Sequence, residues 1–311
     1  MREKRELKSQ GGHRRKKWNF EILSYHLMLL PGVILLLIFS VVPFFGIVIA
    51  FQNFIPAKGI SGSKWVGLDN FRYMFLMPDS MQIFCNTLVI AVSKIVVGLV
   101  ASVVFALLLN EAKNVLFKKA VQTIVYMPYF LSWVILGSVF TGMLSLDGVV
   151  NHFLQNINIE PIMFLGSNKW FRSVIVATDT WKNFGYGAIV YLAALLSIDP
   201  NLYEAAAIDG ADRFKQLLHI TLPALVPTII LMSVLSLGNV LNAGFDQIFN
   251  LYNPMVYRTG DIIDTFVYRM GLVDMQYSLS TAVGLLKSLI SSVLIILSNY
   301  LARRFAGYHI F

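Results

Sequence analysis

Apolar residues along this chain gather into six long runs, roughly 27 to 51, 84 to 110, 120 to 144, 171 to 196, 222 to 248 and 279 to 302, separated by polar segments. At about 1.5 Å per helical residue, each run is long enough to cross a hydrocarbon core of about 30 Å. The pattern therefore predicts an all-α integral membrane protein with six transmembrane helices. The longest connections, 52–83, 145–170 and 249–278, fall on one side; they have room for short helices but not for an independent core. In the first, WVGLDNFRYMF sets Leu68, Phe71 and Phe75 at i, i+3 and i+7 after Asp69, a candidate cap. That spacing predicts an interfacial helix.

Composition agrees with the pattern: 57% of residues are hydrophobic, 14% are charged and the mean hydropathy is +0.67. An even number of spans puts both termini on one side, and lysines and arginines say which. Placing the basic N-terminus inside puts fifteen of them there: eight in the tail from Arg2 to Lys17, then Lys113, Lys118, Lys119, Arg213, Lys215, Arg303 and Arg304. Seven face outward: Lys58, Lys64, Arg72, Lys169, Arg172, Arg258 and Arg269. Without the tail the two sides are equal, so orientation leans on it. The chain thus divides into a basic cytoplasmic tail, 1–26, and a single transmembrane domain, 27–311.

The net charge of +8 sits largely beside the first span, where anionic membrane lipid is a nearer partner than nucleic acid and where a topology signal is the plainer reading. The first span is too long for a signal-peptide core, lacks a small-residue cleavage pattern and contains Pro31 and Pro43, so it is expected to be retained. A single cysteine, Cys85, excludes an internal disulfide, and five dispersed histidines give metal chemistry no foothold. Gly59 to Lys64 and Gly284 to Ser288 lack the Gly-Lys-Ser/Thr triplet of an ATP-binding loop. No cofactor is expected in this chain, and any energy must come from another.

Between the fourth and fifth spans lies EAAAIDGADRFKQLLHITLP. Glu204 to Ile208 is alanine-rich and helix-prone, Gly210 permits a sharp turn, and Pro223 suits the first turn of the next helix. The segment 200–223 is therefore expected to form a helical hook on the cytoplasmic side. An amphipathic helix in a cytoplasmic loop is possible for any polytopic protein. Here, however, Glu204, Ala205, Ala206, Gly210, Ile220, Leu222 and Pro223 stand at the fixed spacing that resembles the EAA loop of the permease subunits of bacterial ABC importers.

The likeness extends to Trp65–Phe75, to NEAKNVLFKKAVQ from Asn110 and to YLAALLSIDPNLYEAAAIDGA, which resemble the carbohydrate-importer branch of that family. Within it the chain looks like permeases for oligosaccharides from polysaccharide digestion, some acidic, such as alginate or pectin fragments. The resemblance implies a type I permease fold with a coupling helix between spans four and five, in the bacterial cytoplasmic (inner) membrane. It implies as partners a second homologous permease subunit, two ATP-binding subunits that hold ATP and Mg, and an extracytoplasmic sugar-binding protein. The chain itself would be non-catalytic. Tyr203, Glu204, Ala205, Ala206, Ile208, Asp209, Gly210, Ile220, Leu222 and Pro223 would carry the coupling to the ATPase.

Charged side chains within spans are costly and are functional candidates by default; here they are Lys94, Asp179, Lys182, Asp246 and Lys287. On the fourth span Asp179, Lys182, Asn183 and Tyr186 fall at i, i+3, i+4 and i+7, on one helical face. On the fifth, Asn239, Asn242 and Asp246 repeat the pattern, and the two faces are expected to line one cavity. Sugar hydroxyls want donors and acceptors of these kinds, and sugar rings pack on aromatics such as Trp181, Tyr186 and Tyr191. The plainer alternative is that Asp179 pairs with Lys182 across one turn and that the asparagines glue helices together. Three lysines against two aspartates leave a slight positive surplus, which favours an anionic oligosaccharide over a neutral one. A polytopic membrane enzyme with Asp179, Asp246 or His219 as acid or base is the rival class; no nucleophile motif, metal cluster or paired-carboxylate spacing supports it.

Overall fold

The structure, a computed structural model, describes residues 22–306; the tail cations Arg2 to Lys17 lie outside the described residues. The first apolar run forms one helical span, α1 (Ile22–Phe51), exposed along nearly all its length. It tolerates Pro43 because a π turn, Leu37–Val41, ends just before that residue. The same device recurs in the fifth span, where a π turn over Leu217–Thr221 precedes Pro223. Proline has no N–H and crowds the carbonyl of the preceding turn, so widening that turn lets the helix run on.

A short antiparallel ladder pairs Gln52 with Trp65 and Asn53 with Lys64, and α2 (Asp69–Leu76) follows where the spacing of Leu68, Phe71 and Phe75 predicts a helix. Its N-cap position is Leu68 rather than Asp69, and no side chain caps it. Asp69 sits in the first turn, where a carboxylate suits the positive end of the helix dipole.

The long helices α3 (Ser80–Glu111) and α7 (Phe171–Leu196) pack along their length. Ser102 donates a 3.0 Å hydrogen bond to the Phe184 carbonyl across that seam. A side chain at Gly185 would stand 2.6 Å from the Val125 carbonyl, so glycine lets the third span approach α7. Apolar side chains form two clusters, one around Ile90, Phe171, Ile175 and Ile248 and another around Ala106, Ala188, Leu192 and Leu225.

Three expectations change on folding. The run 120–144 is not one helix: α4 (Val115–Tyr126) passes into a 3-10 turn, Met127–Phe130, and α5 (Trp133–Leu144) starts afresh after extended backbone at Leu131 and Ser132. Pro128 and the capping Ser132, whose hydroxyl accepts from the Ile135 amide, are the local causes. A further short helix, α6 (Val149–Asn156), continues from it.

The fifth run is likewise interrupted. Helix α9 (Arg213–Gly238) stops at Gly238, and α10 (Phe245–Leu251) begins after a loop. Asn239, Asn242 and Asp246 therefore do not share a helical face: Asn239 is the C-cap, Asn242 is in the loop and Asp246 is in the first turn of α10. Pro223 stands in the first turn of the α-helical stretch Leu222–Gly238, as expected, and that stretch continues a helical segment that begins ten residues earlier at Arg213, capped by Asp212.

The segment 249–278, expected as an outer connection, is folded into the larger cluster: Val256 and Ile262 are wholly buried, and α11 (Ile263–Tyr268) buries Phe266. The last span is α12 (Tyr277–Ala306). Among the described residues five helical segments are long and apolar enough to cross a membrane: Ile22–Phe51, Ser80–Glu111, Trp133–Asn156, Arg213–Gly238 and Tyr277–Leu301. Helix α7, at 26 residues, is long enough but falls outside that set, because its polar stripe around Asp179 and Lys182 interrupts the apolar run.

Candidate functional site

The hook between α7 and α9 is set by local chemistry. Helix α8 (Pro200–Ile208) has Pro200 at its start and the Asp199 carboxylate accepting from the Asn201 amide. It ends with Asp209 as C-cap and Gly210 at φ 76°. The Ala211 amide reaches the Ala206 carbonyl at 2.9 Å and the Gly210 amide reaches that of Ala207 at 3.1 Å. These two bonds define a Schellman motif, in which the left-handed residue is naturally glycine.

Asp212 then caps α9 by accepting from the Lys215 amide at 2.8 Å. The Tyr203 hydroxyl lies 2.9 Å from the Thr221 hydroxyl, tying α8 to the π turn of the fifth span. Glu204, Ala205, Asp209, Gly210 and Pro223 are exposed, while Ala206, Ile220 and Leu222 are half-buried. Ile208 is 87% exposed, and Leu202 and Phe214, elsewhere on the hook, are exposed apolar residues as well. His219 is turned back onto the Lys215 carbonyl at 3.0 Å, the bond of a helix-surface residue.

At the level of the polar stripe the predicted single cavity is two. The first, about 390 Å³, is lined by Lys94, Asp179, Ser236, Asn239, Asn242 and Gly244, among others. Lys94 reaches Asp179 at 3.4 Å and donates to the Ala243 carbonyl at 2.6 Å, with its side chain only 9% exposed. The second cavity, about 580 Å³, holds Lys182, Asn183 and Asp246 with Tyr129, Ser132 and Trp133. Lys182 is buried and donates to the Tyr129 carbonyl at 2.5 Å and the Pro128 carbonyl at 3.3 Å. Its ammonium also lies 5.3 Å from the Tyr129 ring centroid and 5.8 Å from that of Trp133. Tyr186 stacks on Tyr129 at 3.8 Å and 6°.

Asp179 therefore pairs with Lys94 on another helix and not with Lys182 one turn along its own. Each of these lysines puts its ammonium on a carbonyl freed by a helix break, Lys94 at the interruption of the fifth span and Lys182 at that of the third. Breaking a span strips backbone groups of their partners where water is scarce, and a flexible cationic donor restores them. Lys287 is bound to Asp264 at 2.5 Å and to the Asn242 side chain at 2.9 Å. Asp264 lies outside the predicted spans, so counting it removes the positive surplus: Lys94, Lys182 and Lys287 face Asp179, Asp246 and Asp264.

Several site residues escaped the sequence reading. Tyr129, Ser132 and Trp133 sit in a run read as continuous helix, although Pro128 and Ser132 were the available signal. Gln247, wholly buried, donates to the Ile175 carbonyl and the Thr178 hydroxyl at 2.8 Å each. Near the N-terminal ends of α3 and α7 Asn86, also wholly buried, donates to the Asp261 carbonyl at 3.0 Å and accepts from Arg172 at 2.6 Å. Asp261 in turn binds Arg269. Burial lowers the Arg269 pKa, but the hydrogen bond and charge of Asp261 outweigh it and hold the guanidinium above its ordinary value. Nearby, burial first and the neighbouring Tyr257 and Asp261 next push the Tyr252 phenol up to about 12.

Residues 98–307 match the family model described as binding-protein-dependent transport system inner membrane component. The chain is 41% identical over 293 residues to Protein LplB of Bacillus subtilis (strain 168), covering 94% of this chain and 90% of that one. It is 42% identical over 281 residues to the polygalacturonan/rhamnogalacturonan transport system permease protein YteP of the same organism, covering 90% and 88%. In structure it matches, at 38% identity and a TM-score of 0.84, a bacterial ABC transporter involved in the import of the acidic polysaccharide alginate, over 93% of this chain and 98% of the other. A second match, at 37% identity and a TM-score of 0.84 over 95% and 99%, is to a bacterial alginate ABC transporter in complex with an alginate pentasaccharide-bound periplasmic protein. With a span-bearing fold, an EAA-type hook and likeness along nearly its whole length, the chain belongs to the family of binding-protein-dependent transport system inner membrane components.

Proposed function

We propose that this chain is one permease subunit of an ATP-driven importer that moves an oligosaccharide, specifically a uronate-containing one, across a bacterial inner membrane. The observation that carries the reading is the likeness over about nine-tenths of the chain to a polygalacturonan/rhamnogalacturonan permease and to an alginate importer. Interior charge does not argue for an acidic cargo, since three lysines meet three aspartates. What remains is Lys182, which has no carboxylate within ion-pair distance among the described residues and lines the larger cavity.

In this reading α7 is a span as well, fourth in chain order and bringing the total to six, its polar stripe shielded from lipid by the partner permease, and both termini are cytoplasmic. Helix α8, with Tyr203 to Ala206 and the exposed Leu202 and Ile208, inserts into a groove on an ATP-binding subunit. Closure of two such subunits around ATP pulls the hook, and the hook joins the very spans, α7 and α9, that border the first cavity. Packed helices then shift between two arrangements and the cavities change the side they face. A second permease chain, two ATPase chains and an extracytoplasmic sugar-binding protein complete the machine.

The test is uptake by vesicles carrying the full importer, purified with its native partners, with trigalacturonate, an alginate trisaccharide and the neutral galactotriose as probes. ATP-dependent uptake of the first two over the third is the expected result. Preference for galactotriose makes the cargo neutral, and activity of this chain purified alone on a lipid-linked substrate makes it an enzyme.

A further inference from the structure

Between α3 and α4 the chain leaves one span and turns back toward the next, and backbone opened at such a turn needs water or headgroups rather than hydrocarbon around it. The turn lies at the hook's end of the molecule: Glu111, the last residue of α3, pairs with Arg213 of α9 at 3.9 Å. Asn114 fixes its geometry, the side chain accepting from the amides of Leu116 and Phe117 at 2.9 and 3.1 Å.

Two features start together at this point. Lys113, Lys118 and Lys119 follow one another closely, and after Glu111 the sequence holds no acidic residue until Asp147. None of the three lysines makes an ion pair among the described residues. Beside them Leu116, Ala120, Ile124 and, just past the end of α4, Met127 stand at i, i+4, i+8 and i+11, all exposed, Leu116 at 79% and Ile124 at 68%. Another face of α4 is already taken, because Val125 lies against Gly185 of α7. The apolar stripe thus begins among the lysines and runs on toward the third span.

A cluster of cations at the head of an apolar track complements a molecule with a phosphate at one end and a hydrocarbon chain behind it. An acidic protein surface would answer the lysines and leave the track bare. A zwitterionic lipid would cover the track and offer the lysines no net charge. We propose that α4 is a binding site for an anionic phospholipid of the leaflet on the hook side, its phosphate held by Lys113, Lys118 and Lys119 and one acyl chain laid along Leu116, Ala120 and Ile124. The long lysine stems let the ammoniums reach the headgroup while their methylenes stay on apolar surface. The site does not depend on which sugar is carried.

The experiment uses the full importer in phosphatidylcholine nanodiscs, with Cys85→Ala and with Thr123→Cys carrying a bimane label. Thr123 is exposed beside the stripe and belongs to neither half of the site. The same importer without the cysteine at 123 supplies the background. Phosphatidylglycerol or phosphatidylcholine with brominated chains is then added in increasing mole fraction. Half-maximal quenching is expected at about fivefold less of the brominated phosphatidylglycerol, the worth of one lysine at an anionic surface. Replacing all three lysines by glutamine should make the two lipids equal, whereas replacing them by arginine should keep the preference. Equal quenching by both lipids in the importer with its lysines overturns the site, as does a preference that survives the glutamine variant. Quenching by neither lipid shows that another protein chain covers the stripe, and overturns it too.

Discussion

The hook and the polar stripe both interrupt the apolar runs of the chain, but they are assembled in opposite ways. Every hydrogen bond that shapes the hook joins residues close in the chain: Asp199 to Asn201, Ala206 to Ala211, Asp212 to Lys215, and at the longest Tyr203 to Thr221, 18 positions apart. In the polar stripe Lys182 meets Tyr129 across 53 positions, Lys287 meets Asn242 across 45 and Lys94 meets Ala243 across 149. A local device can be exposed and still keep its shape, which suits a part that must be gripped by another chain. A long-range device holds its shape only while the spans are packed, which suits a part that must reorganise when they move.

The largest effect is expected from breaking the local device. Proline cannot adopt φ 76°, so Gly210→Pro destroys the turn while leaving the spans intact. Vesicles carrying that variant in the full importer should show normal membrane insertion and uptake reduced to background. Glu204→Lys, at an exposed position of α8, is expected to uncouple ATP hydrolysis from uptake, and wild-type substrate-stimulated ATPase with wild-type uptake would remove the hook from the coupling path.

Next in size is the loss of one long-range contact. Lys94→Met leaves Asp179 and the Ala243 carbonyl without their partner and should cost about 3 kcal/mol, the lower end for breaking a buried pair. Thermal unfolding in detergent measures it, and Lys94→Met with Asp179→Leu should recover most of the loss. A double variant no more stable than the single would mean that the pair is not what holds the two spans together.

Smaller again is a change in selectivity. If a carboxylate passes within reach of Lys182, Lys182→Ala should reduce trigalacturonate uptake about tenfold more than galactotriose uptake. Equal reductions would make the lysine a strut for the third span and nothing more.

The smallest expected effect asks whether long-range assembly extends to the network around Asp261. Tyr252 is pushed up to about 12 from 10, so the folded state favours the neutral phenol. Its contribution is fully present below pH 10 and is lost as pH rises from 10 to about 12. Melting temperature should fall across that window, and Tyr252→Phe should flatten the fall.

Most of the fold was readable because span length and helix propensity are properties of contiguous residues. The runs starting near 27, 84, 171 and 279 become α1, α3, α7 and α12 with ends moved by a few residues. The failures share a cause. Pro128 and Ser132, like Gly238 and Gly244, were hidden inside runs whose apolar average stayed high, and only the packing of Lys182 and Lys94 against the freed carbonyls makes those breaks tolerable. The segment 249–278 reads as a connection because no long apolar run marks it, yet Val256 in a 3-10 turn, Ile262 at the cap of α11 and Phe266 within that helix are each buried. Asp264 was left out of the charge balance for the same reason.

By itself the sequence determined that the chain lives in a membrane, where its long helices lie and how the hook turns, because each depends on interactions between neighbours along the chain. Tertiary structure alone decided which lysine meets which aspartate, where two spans break, and that the polar stripe borders two cavities and not one. The reason is the solvent: in a medium that offers few hydrogen bonds, the partner of a charged or freed backbone group is whichever donor or acceptor the packing brings near, and residues 50 or 150 positions away carry no mark of that meeting in their local sequence.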